Sequence, residues 1–101
     1  MHLVRLYLPV RDNAGQAFPV AMFRTIEAEL SHRFGGVTAH LAAPASGLWR
    51  ESGKLHADEV VIFEVLTDEA DRGWWTAYRE RLARDFRQKQ ILLMLQAVEV
   101  V

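Results

Sequence analysis

A chain of 101 residues sets 12 Lys and Arg against 13 Asp and Glu, for a formal charge of −1; half of it is hydrophobic and a quarter charged. That balance excludes a disordered chain and a polyanion-seeking one, and the length suits one domain over residues 1–101. The absence of cysteine excludes disulfides, thiolate nucleophiles and cysteine-based metal sites.

Leu3–Val10 reads as a first strand, because Val4, Leu6 and Leu8 alternate with Arg5, Tyr7 and Pro9. Pro9 marks an edge or a strand end. After turn-rich Arg11–Gln16, the apolar residues Met22, Phe23, Ile26, Leu30 and Phe34 recur at helical spacing and predict a helix over about Phe18–Arg33. Pro19 is tolerated in its first turn, and Gly35-Gly36 stops it.

Val37–Ala43 alternates again and runs through Pro44, Ser46 and Gly47 into Leu48-Trp49-Arg50, so the second strand is expected in two pieces. Glu51–His56 reads as a hairpin connection to the strand Glu59–Leu66. Asp68–Asp71 offers capping residues for a second helix, in which Trp75, Tyr78, Leu82 and Phe86 form an apolar stripe. Ile91–Val101 closes the chain as a strand. The order is the split βαβ arrangement of a ferredoxin-like α+β domain: βαββαβ, with an antiparallel four-stranded sheet and two helices on one face.

The two parities of the strands assign the faces. Val4, Leu6, Leu8, Val37, Ala39, Leu41, Val61, Phe63, Val65, Ile91, Leu93 and Leu95 belong under the helices. The opposite face then carries Arg5, Tyr7, Thr38, His40, Val60, Ile62, Glu64, Leu66, Leu92, Met94, Gln96 and Val98. It is too apolar in Glu59–Leu66 and Ile91–Val101 to suit water, and its simplest cover is the same face of a second copy. A homodimeric α+β barrel is therefore expected.

At Phe34-Gly35-Gly36-Val37-Thr38, at Gly47-Leu48-Trp49-Arg50 and at Phe86-Arg87-Gln88 leading into Ile91-Leu92, the chain resembles the DUF3574 type of small bacterial proteins. Its element order resembles the wider dimeric α+β barrel superfamily. The resemblance implies a ferredoxin-like fold without an assigned activity. The superfamily includes cofactor-free monooxygenases, haem-degrading enzymes and muconolactone isomerase-like enzymes, so it leaves function open. The Asn, Trp and His set of the haem-degrading members does not carry over, since Asn13 falls in a loop with nothing to set it beside Trp49 or His40.

Within the inner face, His40 and Glu64 are the candidate acid/base pair, since neighbouring strands set a carboxylate near an imidazole. The plainer reading is a polar contact at the dimer interface. Arg5 and Tyr7 could anchor an anionic or phenolic ligand, with Gln96 on the same face, while Trp49 and Arg50 could line a pocket mouth. Two functions follow. One is a soluble homodimeric barrel that binds a small molecule between its sheets; the other is a small cofactor-independent enzyme of monooxygenase or isomerase type, with His40 as base and Glu64 orienting it.

A third possibility is a heteromeric partner whose β-face covers the sheet, while nucleic acid and membrane are not expected as partners. Arg72, Arg79, Arg81, Arg84 and Arg87 make the second helix basic, but Glu80 and Asp85 interrupt the run, which reads as a solvated face and not a nucleic-acid surface. His2, His32, His40 and His56 lack metal-binding spacing, and there is no phosphate loop, nucleophile elbow or flavin or nicotinamide fingerprint, so neither metal nor cofactor is expected. No apolar run nears the roughly 20 residues that span a bilayer, and the start lacks a leader pattern, so no membrane partner and a cytoplasmic location are expected.

Overall fold

The computed structural model describes the backbone of residues 1–42, 48–51, 54–57 and 59–101, and the side chains of residues 1–40 and 59–101. The chain runs β1 (His2–Pro9), α1 (Val20–Phe34), β2 (Thr38–Ala42), β3 (Leu48–Glu51), β4 (Lys54–Ala57), β5 (Val60–Thr67), α2 (Arg72–Asp85) and β6 (Leu92–Ala97). Four strands form one antiparallel sheet in the order β2-β5-β1-β6, and β3 pairs with β4 in a separate ribbon. This is the expected ferredoxin-like βαββαβ domain, with the ribbon inserted between β2 and β5.

The strict alternation of β1 buries Val4, Leu6 and Leu8, and the same parity of β5 buries Phe63 and Val65. Both helices close over this face. Ile26 and Leu30 from α1 and Trp75, Tyr78 and Leu82 from α2, with Phe86 just beyond it, join those strand residues in one core. Phe34 stacks on Trp75 at 5.1 Å and Phe18 meets Phe86 edge-on at 4.8 Å, which ties the helix ends together.

Local signals set the helix limits. Pro19, which has no amide hydrogen to leave unpaired, precedes α1, and Gly35 ends it at φ 79°, its amide donating to the Ser31 carbonyl. Asp71 caps α2 by accepting from the Trp74 amide at 3.0 Å. Arg87 takes the left-handed position after α2 at φ 51°. Its amide donates to the Arg84 carbonyl and that of Gln88 to Ala83, the paired bonds of a Schellman turn.

Two expectations are corrected. The segment expected to connect directly to the third sheet strand instead forms its own ribbon, with Leu48 opposite Ala57 and Glu51 opposite Lys54. The last strand ends at Ala97, and Val100 and Val101 are exposed. Pro9 is the strand end that was one of its two expected roles, and β1 itself is central, between β5 and β6. Among the described residues, no helix is long and apolar enough to cross a membrane.

Candidate functional site

The face of the sheet turned away from the helices carries one polar cluster. Glu64 follows Phe63 in β5, so when Phe63 points into the core Glu64 points out. Its register partner on β1 is Arg5, and on β2 it is Thr38. His40, two residues beyond Thr38, is its diagonal neighbour, within reach of a long side chain.

The side chains meet accordingly. Arg5 Nε donates to Glu64 Oε2 at 2.7 Å, and His40 Nε2 lies 3.1 Å from Glu64 Oε1. The carboxylate thus bridges a guanidinium and an imidazole on three adjacent strands. It is the most enclosed of the three, with 23% of its side chain exposed against 39% for Arg5 and 47% for His40. The Arg5 bond, helped by His40, holds the Glu64 carboxyl below its ordinary value although its partial burial pulls the other way. Arg5 is held above its own ordinary value, chiefly by the same bond.

Around the cluster the face is apolar but unevenly covered. Leu66, Leu92 and Met94 are 46%, 56% and 41% exposed. Ile62, flanked in register by Tyr7 and His40, is only 9% exposed and lies outside the helix-covered core. The open apolar strip is therefore narrower than strand parity alone implies, and it runs along β6 and the end of β5.

Arg5, His40 and Glu64 come together as the sequence suggested, and Tyr7 sits two residues beyond Arg5 on the same face. Among the described residues, Gln96 makes no hydrogen bond to any of them. It pairs with Leu3, one step along the sheet from the Arg5–Met94 pair, and is exposed. The backbone of Trp49 and Arg50 lies in β3, opposite His56 and Leu55, and the pocket-mouth role expected of them falls on side chains outside the described set. Among the described residues, no three metal-ligating side chains converge.

A second polar group escaped the sequence reading, which treated the arginines of α2 as solvated. An open groove of about 480 Å³ lies between α1 and α2, lined by Glu29, His32, Arg33, Trp74, Tyr78 and Arg81. Glu29 accepts from the Tyr78 hydroxyl at 3.2 Å and from Arg81. The Arg33 guanidinium lies 4.4 Å from the Trp74 ring centre, and Trp74 stacks on Tyr78 at 4.8 Å. Burial, reinforced by Glu29, pushes the Tyr78 hydroxyl well above the usual phenol range. These groups satisfy one another and pin the helices together; the signal was Glu29 on one helix facing Arg81 on the other, which single-helix periodicity does not reveal.

No protein-family model matches this chain. No curated protein sequence matches it either. In fold it is similar to a phage SAM lyase in complex with S-methyl-5'-thioadenosine, at TM-score 0.66 and 16% identity over 94% of this chain and 79% of that one. The same lyase in its apo state gives TM-score 0.63 at 13% identity, over 94% and 78% of the two chains. At such identities the likeness is one of fold.

Proposed function

We propose that this protein is a homodimeric α+β barrel that binds a small molecule between its two sheets, at the Arg5–Glu64–His40 cluster. The observation that carries this reading is the placing of a bridged carboxylate in the middle of a face that otherwise turns Leu66, Leu92 and Met94 to water. An exposed aliphatic strip with a polar centre suits an interface that encloses a ligand, because the strip drives association and the polar groups fix orientation. Native mass spectrometry of the purified protein tests it: a dimer retaining a small molecule is expected, and a ligand-free monomer refutes it.

A second reading is a cofactor-independent enzyme with His40 as base and Glu64 orienting it. Two features favour it: the 3.1 Å His40–Glu64 contact at a half-exposed imidazole, and the shared fold with a SAM lyase bound to S-methyl-5'-thioadenosine. Incubation with SAM, followed by chromatography for S-methyl-5'-thioadenosine, separates the readings. Release of that product abolished in His40→Ala supports the enzyme, and unchanged SAM removes the lyase form of it.

A further inference from the structure

We propose that the ligand of this face is a monovalent carboxylate on an apolar body, its head taken by the outer edge of the Arg5 guanidinium and its body laid along Leu92 and Met94. The inference rests on the reading that the sheet face holds the ligand site, and it names the chemistry of the occupant.

The hydrogen-bond inventory of the cluster points to an anion. Glu64 accepts with both oxygens, Oε2 from Arg5 and Oε1 toward His40, so its acceptor capacity is turned inward. Arg5 spends only Nε on that bond. Its two Nη groups meet no carboxylate among the described residues, with the Tyr7 hydroxyl as the polar neighbour of the guanidinium, and they form the planar fork that matches a carboxylate with two parallel bonds. The Tyr7 hydroxyl, on the same face, is a further donor. What the cluster offers a ligand is donors, on a guanidinium whose charge Glu64 already shares.

Charge favours a low valence. Glu64 already offsets the charge of Arg5, so the guanidinium fork suits a monoanion held by two hydrogen bonds, whereas the carboxylate beside it repels a phosphate dianion about twice as strongly.

The register supplies the body of the ligand. Arg5 faces Met94 and Tyr7 faces Leu92 across β1 and β6, and both aliphatic side chains are open. Directly opposed residues lie about 5 Å apart, so an apolar group joined to the carboxylate by a few atoms would cover them while the head stays on Arg5. The opposite side of Arg5 is closed by Glu64, which gives the bound molecule one direction to run.

The test is a titration of the isotope-labelled full-length protein with octanoate, followed by amide and methyl NMR shifts, with octylammonium and inorganic phosphate as comparison probes. Octanoate is expected to shift Arg5, Leu92 and Met94 selectively, and neither comparison probe is expected to do so. Arg5→Gln is expected to weaken octanoate at least tenfold, and Arg5→Lys, which keeps the charge and loses the fork, to weaken it less; both variants are checked for native dispersion. Equal response to octylammonium, undiminished binding by Arg5→Gln, or no octanoate response at all would overturn the proposal. A dimer that retains some other small molecule in native mass spectrometry would leave the sheet-face site standing while this carboxylate chemistry falls.

Discussion

Arg5 and Glu64 stand directly opposite each other on β1 and β5, and join through Nε and Oε2 at 2.7 Å on the face of the sheet that the helices leave open. A cross-strand pair of opposite charge there both stabilises the register and keeps the carboxylate ionised.

That second effect makes stability depend on pH. Because the bond lowers the native value of Glu64 below its ordinary 4.5, the unfolded chain takes up this proton first as pH falls. The stabilisation is complete above that ordinary value and is lost as pH falls through the lower native one. Urea unfolding of wild type and Glu64→Gln is expected to show wild type the more stable near neutrality, with the gap shrinking in acid. Exposure of the pair keeps that gap small. A gap that widens in acid would show that the carboxylate is not held low.

The cap of α2 gives a local test. Asp71 accepts from the Trp74 amide, so Asp71→Ala is expected to cost about 1 kcal/mol and Asp71→Asn much less. Chemical denaturation of both variants measures the difference, and equal losses would mean that the cap bond contributes nothing.

The other end of α2 is strained. Arg87 occupies a left-handed position at φ 51° that glycine adopts without a steric penalty. Its 3.5 Å contact with Asp12 is made by a largely exposed side chain and contributes little. Arg87→Gly is therefore expected to raise stability by roughly 0.5–1 kcal/mol, read as an increase in the urea midpoint. A loss of similar size would mean that the Asp12 contact outweighs the strain.

Much of this architecture was legible in the residues. The alternation of Val4, Leu6 and Leu8 and the stripe of Trp75, Tyr78, Leu82 and Phe86 fixed which faces are buried, and parity alone placed Arg5, His40 and Glu64 together. The β3–β4 ribbon was not legible, because strands of four residues show too little periodicity to separate them from a bent continuation of β2. Register was the other gap. Gln96 shares a parity with Met94, but only the pairing of Leu3 with Gln96 shows that it stands one step away from Arg5. The cover over Ile62 is likewise a tertiary effect that alternation does not contain.

The apolar strip separates association from folding. Leu92 is open to solvent in the single chain, so Leu92→Lys is expected to change monomer stability by no more than about 0.5 kcal/mol. Its register partner is Tyr7, so the same charge pressed between two sheets would lack an acidic partner there, and the variant is expected to be a folded monomer, checked by circular dichroism and gel filtration. A Leu92→Lys dimer as tight as wild type would place the interface elsewhere.

The central claim is that two copies meet through this face and enclose the Arg5–Glu64–His40 cluster. Its most direct test is the solution mass of the wild-type protein by light scattering over a wide concentration range. The account predicts twice the 11.5 kDa chain mass down to low concentration; a well-behaved monomer throughout would contradict it.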